Sequence, residues 1–396
     1  MKYYYIIFLI VYFILSGCNS QAGRSSGEQS EFHAIDFEKS FEAEQQMLIS
    51  EIADTVEYLE LNTPEDIIIT RIRNIIPFDD YLLIQARGFV FLFHKNGQFI
   101  RPIGTRGQGP EEYTVACDVR LDIINEIIVV LDIERILYYD FKGNFIRSRK
   151  LSAESFGISD SILWIGNITN VFSKYKAIAF SLNDEMDTVE YIQNHLYGIT
   201  SISKGGANIS AYTSMFYNKN NLLYFKGDES SDSIWEILGA DIKPYAVINM
   251  GKYKLPLEFE PWYSIEAFEK NVDKYWFVPM IADDDNYIFL SSVQKRLFKN
   301  EKDLFKYIVY DKKKKKGFTV NDKNCMGITD DILGGPPLWP RWVSDEYYIN
   351  AIEAYELLEK VDSGEYSPSV QLKGLLSRIG EDSNQLIVLC SKKKNN

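Results

Sequence analysis

The chain has 396 residues, and its 56 acidic side chains outnumber its 43 Lys and Arg side chains, which gives a formal net charge of −13. This charge argues against a nucleic-acid-binding protein, because contacts to phosphate groups need Lys and Arg. It also argues against adsorption of the folded body to an anionic membrane. The hydrophobic fraction of 46% is sufficient for a large core.

The first residues predict export. Lys2 precedes the apolar run Tyr3–Leu15, which has the length of a secretory signal and is shorter than the roughly 20 apolar residues of a membrane span. Leu15-Ser16-Gly17-Cys18 then looks like a bacterial lipobox, in which the cysteine is acylated and the chain is cut before it. We therefore predict a lipoprotein signal peptide over residues 1–17 and lipidation at Cys18. An ordinary signal peptide with a nearby cysteine is the alternative.

The segment after Cys18 is small and polar, without apolar periodicity, from Asn19 to Glu28. Such composition is typical of a flexible tether. The predicted organisation is therefore a lipidated cysteine, tether and lead-in over residues 18–50, followed by a folded body over 51–396.

An internal repeat is visible in the folded body. The segment Phe91–Arg101 resembles Leu137–Arg147, since both are apolar strands that end in a glycine turn and continue with Phe-Ile-Arg. Gly97 and Gly143 are 46 residues apart. This period matches one blade of a β-propeller, which has four short strands.

A second pattern repeats along the chain, namely a polar turn followed by a short β-branched and aromatic run. It begins at positions 80, 125, 174, 220, 285 and 345. Continuous apolar runs are typical of strands that are buried on both faces, as in a stack of blades. The pattern predicts an all-β, six-bladed β-propeller.

The ends of the body predict how the ring closes. Segment 54–61 alternates polar and apolar residues, and segment 385–390 is an apolar strand. We expect both to belong to one blade, because pairing the termini removes a free sheet edge. Segments 351–361 and 370–379 have helical periodicity and are predicted as short helical insertions in the last blade.

The lipobox, the six runs and the segment Gly104–Tyr113 together resemble the six-bladed β-propeller lipoproteins of Bacteroidota, relatives of the NHL-repeat propellers. Gly107, Gly109, Pro110, Glu112 and Tyr113 match a Gly-x-Gly-Pro-x-Glu-Tyr motif of that group. The resemblance implies a propeller fold and an outer-membrane lipoprotein of the cell envelope, and little chemistry. Acidic residues directly after the cysteine, common in surface-displayed members, are missing from 19–24. Surface and periplasmic display therefore both stay open.

Aromatic residues in proline-stiffened loops are the best binding candidates. They are Trp262, Tyr263, Trp339 and Trp342, with Arg341 between the last two. A Trp ring offers a flat apolar face with one polar handle, which suits sugar rings or peptide side chains. The alternative is that these rings fill gaps between blades. Arg106 in the glycine-rich segment is a further candidate for ligand binding. The alternative is that this segment is a purely structural connection between blades.

No catalytic set and no metal site are predicted. His33, His94 and His195 are far apart, and the chain has no Gly-x-Ser-x-Gly motif. We predict no cofactor; the run Asp283-Asp284-Asp285 leaves a Ca²⁺ ligand role open beside a hairpin-turn role. The lysine run 312–316 is read as a solvated hairpin tip, with an anion-binding patch as the weaker reading.

The first functional hypothesis is therefore a non-enzymatic binding or scaffold lipoprotein, with a glycan, peptide or envelope protein as ligand and the membrane contacted through Cys18. The alternative is a metal-dependent hydrolase or lyase, similar to propeller lactonases, with carboxylates converging on the central axis. A structural partner of an outer-membrane transport complex is a third hypothesis. The sequence favours no catalytic activity.

Overall fold

The computed structural model describes residues 31–166, 174–182, 187–198, 215–220, 222–227, 232–296, 302–322 and 325–393. The signal peptide and Cys18 lie outside these residues. One compact unit spans His33–Asn396, and a separate unit, Met1–Phe32, contains only two described residues. Strands of the large unit form six sheets. Four of the sheets have four strands, one has five and one has six. The predicted all-β, six-bladed β-propeller is confirmed.

The first three blades follow one another along the chain, and each is a four-stranded antiparallel meander. Blade 1 contains the strands Ile72–Phe78, Tyr81–Ala86, Phe89–His94 and Phe99–Pro102. Blade 2 contains Asp118–Asp122, Ile127–Leu131, Arg135–Asp140 and Phe145–Lys150. Blade 3 contains Ser155–Ser159, Ile162–Gly166, Tyr175–Ser181 and Thr188–Gln193.

The remaining three blades include strands from the start of the compact unit. Blade 4 contains Met215–Lys219, Leu222–Lys226, Ser233–Leu238, Asp241–Asn249 and His33–Asp36. Blade 5 contains Phe277–Asp283, Tyr287–Gln294, Leu304–Asp311, Lys316–Asp322, Cys325–Met326 and Glu44–Gln45. Blade 6 contains Trp342–Val343, Tyr347–Ile352, Leu386–Lys392 and Ala53–Leu59.

The N-terminal part of the compact unit joins three blades. His33–Asp36 pairs in parallel with the outer strand of blade 4, and Glu44–Gln45 does the same in blade 5. Ala53–Leu59 pairs antiparallel with Leu386–Lys392, with Val56 opposite Cys390. Residues 33–50, assigned to the lead-in from sequence, therefore take part in the fold.

Helices are few and short. The α-helices are Phe37–Glu42, Ile49–Ile52, Ile265–Asn271, Ala354–Asp362 and Val370–Leu376. The 3-10 helices are Gly251–Tyr253, Leu257–Phe259 and Val272–Lys274. Both predicted helical insertions lie inside blade 6, between its second and third strands. Over the described part of the chain, helices with the length and apolar character of a membrane span are absent.

The glycine turns explain the repeat seen in the sequence. Gly97 and Gly143 have φ values of +85° and +82°, a region that glycine adopts without a Cβ clash. In each hairpin the glycine N–H donates to the carbonyl three residues earlier, on His94 or on Asp140. His94 and Asp140 therefore occupy the same structural position, as the sequence alignment of the two segments predicted.

The core is divided among the interfaces between neighbouring blades. Each of the six interfaces has its own cluster of buried apolar side chains. A strand such as Tyr81–Ala86 is buried along nearly its whole length, because a neighbouring blade covers each face. Burial of each Leu, Ile or Phe side chain contributes about 1.5–3 kcal/mol. Leu357 and Leu372 of the two inserted helices extend the cluster between blades 5 and 6.

Blade 3 departs from the regular spacing read in the sequence. The apolar run that begins at residue 174 forms its third strand, whereas the corresponding runs of the other blades form second strands. The second strand is Ile162–Gly166, after a turn in which Asp160 and Ser161 have positive φ. Blade 3 therefore contains two polar turns that are each followed by an apolar run. The regular spacing pointed to the run at residue 174, whereas Ile162–Gly166 is the strand equivalent to the runs of the other blades.

Candidate functional site: the central channel

Each blade begins with its innermost strand, so the first strands of the six blades surround a central channel. From blade 1 to blade 6, the first strand of each blade contacts the first strand of the next. A cavity of about 540 Å³ lies in this channel, and its walls come from the first strands of blades 1, 2, 4, 5 and 6. Small-molecule sites typically have volumes of about 300–1,000 Å³. The channel is therefore large enough for a small ligand.

The channel has two distinct ends. Successive strands of a blade are antiparallel, so all first strands start at one face of the ring and finish at the other. We call the first the connection face, because the connections between blades lie there. The second is the hairpin face, which carries the hairpin between the first and second strand of each blade.

Three guanidinium groups line the channel. Arg73 and Arg341 stand at the connection-face end, in blade 1 and directly before blade 6, and Arg120 lies in the middle of the first strand of blade 2. The Arg341 guanidinium carbon lies 4.7 Å from the centroid of the Trp342 ring. Burial lowers the pKa of Arg341, although an arginine stays charged at neutral pH. Among the described residues, neither Arg73 nor Arg341 has a side-chain hydrogen bond or ion pair.

Arg120 is held by three acceptors. Its Nη1 donates to Asp118 Oδ1 at 2.7 Å and to the Val119 carbonyl at 2.8 Å, and its Nη2 donates to the Phe216 carbonyl at 3.2 Å. Both side chains of the Arg120–Asp118 pair are 13% exposed. Burial raises the pKa of Asp118, and the Arg120 guanidinium acts in the opposite direction. The buried Nε of Arg120 finds no acceptor in the described part of the chain.

A buried ion cluster lies at the hairpin-face end. Lys312 Nζ is 2.5 Å from Asp283 Oδ1 and also donates to the Asp284 carbonyl, while Lys219 Nζ is 3.5 Å from the same Asp283 oxygen. The Asp283 side chain is fully buried and that of Lys312 is 8% exposed. Burial lowers the pKa of Lys312 to about 8; Asp283 opposes this shift and Lys219 adds to it.

Tyrosine rings surround this ion cluster. The Tyr217 hydroxyl donates to Asp283 Oδ2 at 3.3 Å, and Lys219 donates to the Tyr245 hydroxyl at 3.2 Å. Burial, followed by the nearby Asp283 carboxylate, raises the pKa values of Tyr217 and Tyr245. The neutral phenols therefore act as fixed hydrogen-bonding partners of the charged groups.

The chain matches, over residues 32–391, the family described as "Domain of unknown function (DUF4934)". It belongs to this family. Among curated proteins, none matches the sequence. The relation to NHL-repeat propellers and the lipoprotein character stay predictions.

Solved structures support the fold. A crystal structure from Bacteroides fragilis, of a protein whose name calls it exported, covers 92% of this chain and 100% of its own, with a TM-score of 0.70 and 18% identity. The WD40 domain of Neurospora crassa Pan2 has a TM-score of 0.37 at 8% identity, covering 62% of this chain and 64% of its own. An extracellular domain from B. thetaiotaomicron has a TM-score of 0.39 at 9% identity, and the match covers 67% of this chain and 29% of that one. The last two similarities are too weak to carry an argument.

The residues selected from sequence separate into three environments. Arg341 and Trp342 line the channel at its connection-face end. Trp339 is buried, donates from Nε1 to Ser291 Oγ at 2.7 Å and stacks on Tyr307 with centroids 4.5 Å apart. Trp262 is buried in an apolar cluster beside the first strand of blade 5, and Tyr263 is exposed. The structure therefore does not bring these rings together on one surface.

Arg106 belongs to a different cavity. Its guanidinium carbon lies 5.0 Å from the Phe89 centroid, and its Nε donates to the Thr114 carbonyl at 3.0 Å. The motif around it is a connection between blades 1 and 2, fixed by the buried Tyr113 hydroxyl, which donates to the Ile103 carbonyl. Arg106 thus lies away from the central channel.

The acidic and lysine runs are less exposed than the sequence suggested. Asp283 and Asp284 are buried, and Asp284 Oδ1 accepts from the backbone N–H groups of Asn286 and Tyr287 at 2.7 Å. The turn role of Asp284 is therefore visible in its contacts. Lys312, the first residue of the lysine run, is buried against Asp283 and does not belong to a solvated tip.

Two of the carboxylates that line the channel, Asp118 and Asp283, are paired with cations. Asp118 pairs with Arg120, and Asp283 pairs with Lys312 and Lys219. Across the residues that the structure describes, clusters of three or more His, Cys, Asp or Glu side chains suited to a metal ion are absent. The geometry thus gives no support to carboxylates converging on a metal ion.

Sequence reasoning missed Arg73 and Arg120. Each lies inside the first strand of its blade and lines the channel. A charge inside a predicted inner strand was the available signal. Its use requires knowing which of the four strands in a blade is innermost.

Proposed function

We propose that the chain is an exported binding protein that holds a small ligand in its central channel. The observation that carries this proposal is the cavity of about 540 Å³, whose walls combine apolar side chains with the guanidinium groups of Arg73 and Arg341, which make no side-chain hydrogen bond or ion pair to a described residue. Ligand sites of this kind are concave, mostly apolar and equipped with a few convergent polar groups.

The test blocks the channel and leaves the outside of the ring unchanged. Met215 lines the channel at the start of blade 4, so Met215→Trp places a large ring in the cavity. Val189 is exposed on the outer strand of blade 3, so Val189→Trp is the matched control. Neutral and acidic oligosaccharides and short peptides are screened against the full chain in detergent by saturation-transfer NMR.

A ligand that binds the wild type and Val189→Trp but not Met215→Trp supports the proposal. Thermal melting of both variants establishes that they are folded. If every compound fails to bind, or if a compound binds Met215→Trp as well as it binds the wild type, the channel is not a ligand site.

We further propose that the body is anchored to the outer membrane of a bacterial envelope through lipid on Cys18. The lipobox at residues 15–18 supports this proposal. A diacylglycerol group on the cysteine would give stable anchoring, because two acyl chains are needed for that. Cys18→Ser should move the protein to the aqueous phase and abolish palmitate incorporation. Cys117→Ser is the control and should stay membrane-bound; an unchanged Cys18→Ser variant would contradict lipidation.

A further inference from the structure

The unusual feature of the channel is its local charge. The chain as a whole carries a formal charge of −13, yet Arg73, Arg120 and Arg341 all line one cavity. Of the carboxylates in the same lining, Asp283 and Asp345 lie toward the hairpin face, and Asp118 pairs with Arg120. Low-dielectric walls focus the field of such groups and attract counter-ions into a cleft. The connection-face end of the channel is thus a cationic site on an acidic protein.

At this end of the channel, the guanidinium groups have more N–H donors than there are acceptors for them among the described residues. A guanidinium has five N–H donors and no acceptor. Arg341 is half-buried beside Trp342, with no side-chain hydrogen bond to a described residue. Buried donors without partners are costly, and a bound oxyanion would supply acceptors for the half-buried Arg341 guanidinium.

The guanidinium of Arg120 is already held in place by hydrogen bonds, so ligand binding would not have to restrict its motion. Its two terminal nitrogens are fixed by Asp118 and by carbonyls of two different blades. Arg341 is oriented by the Trp342 ring. Preorganised groups lose less entropy on binding than free side chains do. Planar guanidinium groups also match carboxylate, phosphate and sulfate geometry.

We propose that the connection-face end of the channel recognises the carboxylate, phosphate or sulfate group of a small anionic ligand, through Arg73, Arg120 and Arg341. This inference rests on the proposed channel-binding function and adds the chemical class of the ligand. The apolar wall and Trp342 would contact the uncharged part of that ligand.

The experiment compares probes that share one ring and differ in charge. Glucose, glucuronate, glucose 6-phosphate and glucose 6-sulfate are titrated calorimetrically into the full chain in detergent. At least one anion should bind at least about tenfold more tightly than glucose, as charged hydrogen bonds predict. The three anionic arms distinguish carboxylate from phosphate and sulfate.

Variants connect the affinity to the named residues. Arg341→Gln and Arg73→Gln should each weaken the anion by about tenfold, and Arg341→Lys should restore only part of it, because the planar fork is lost. Arg378 is exposed, does not line the channel and makes no side-chain hydrogen bond or ion pair to a described residue, so Arg378→Gln is the charge-matched control and should bind like the wild type.

The possible failures are distinguishable. Equal binding of glucose and the anions, no binding of any anion at millimolar concentration, or anion affinity unchanged in both Arg→Gln variants would overturn the anionic inference. A neutral ligand that Met215→Trp excludes would in each case preserve the channel-binding function. Loss of both kinds of binding would remove the two proposals together.

Discussion

The guanidinium of Arg120 in blade 2 donates to the carbonyl of Phe216 in blade 4 at 3.2 Å. This contact passes the inner strand of blade 3, whose Phe156 ring centroid lies 5.7 Å from the Arg120 guanidinium carbon. One side chain therefore links three blades at the channel wall. It fixes a guanidinium group, paired with Asp118, in the channel wall, and it joins blades whose strands belong to separate sheets.

We predict that Arg120→Met destabilises the protein by roughly 3 kcal/mol, because Asp118 is left as a buried carboxylate without its cation. The free energy of unfolding, measured by urea denaturation, tests this value. Arg120→Met combined with Asp118→Asn should lose less than the two single changes added together. Arg378→Met, at an exposed position, should change stability by no more than about 0.5 kcal/mol. A similar loss in both Met variants would contradict the linking role.

Asp283→Asn should cost about 3–5 kcal/mol, because Lys312 and Lys219 would then share a buried site without a counter-charge. Chemical denaturation measures the loss. The exposed pair Lys270–Glu266, with N···O 2.6 Å and exposures of 69% and 79%, is the control. Lys270→Met should change stability by less than about 1 kcal/mol. A small effect of Asp283→Asn would show that the carboxylate does not hold the lysines in place.

The contribution of Lys312 to stability should rise as the pH increases above 8. Its pKa is lowered to about 8 in the folded protein, whereas an unfolded lysine has a pKa near 10.4. Between these values the unfolded chain binds more protons, so unfolding becomes less favourable as pH rises. The measurement is the free energy of unfolding of wild type minus that of Lys312→Met, from pH 7 to about 9.5.

That difference should be flat below pH 8 and should increase above it. Taking the difference removes the tyrosines, which also titrate at high pH. A difference that falls or stays constant up to pH 9.5 would mean that the folded pKa is not lowered.

The ring closure can be tested with one substitution. Val56 lies opposite the free, buried Cys390 across the pair formed by Ala53–Leu59 and Leu386–Lys392. Directly opposite residues have Cβ atoms about 4.5–5.5 Å apart, so Val56→Cys should form a disulfide with modest backbone adjustment when the protein refolds in an oxidising buffer. The bond should stabilise the protein by about 2–4 kcal/mol.

Peptide mapping under non-reducing conditions identifies the linked peptides. Burial raises the pKa of Cys390 to about 12, so oxidation is carried out during refolding, when the thiol is still accessible. Val56→Cys with Cys390→Ser should remain uncrosslinked. Linkage of the introduced thiol to a cysteine other than Cys390 would contradict the strand register.

The blades were predictable because their signal is local. Runs such as Tyr81–Ala86 and Tyr287–Gln294 are apolar on both faces, and Gly97 and Gly143 mark equivalent hairpins. The parallel pairing of His33–Asp36 with blade 4 was not predictable. It joins residues more than two hundred positions apart, and such a pairing leaves no local pattern.

The site was only partly predictable, because convergence on the axis depends on ring geometry. Arg341 and Trp342 were selected as loop residues and do line the channel. Trp339 and Trp262 were selected by the same criterion but are buried. Proline-rich loops indicate rigidity, and whether a ring faces solvent or the core is decided by neighbouring blades.

The most direct test of a cationic, accessible channel uses Cys117, a free and partly buried thiol that lines the cavity. Its alkylthiolation rate is measured with an anionic and a cationic methanethiosulfonate reagent, with the labelled peptide identified by mass spectrometry. Each rate is divided by the rate of the same reagent with a small free thiol, because the two reagents differ in intrinsic reactivity. Arg73 favours the thiolate of Cys117, whereas Asp132 and Asp118 oppose it. We predict that the normalised ratio of the anionic to the cationic rate falls in Arg73→Gln and Arg341→Gln but not in Arg378→Gln. A ratio that is unchanged or raised in both channel variants would contradict a cationic channel.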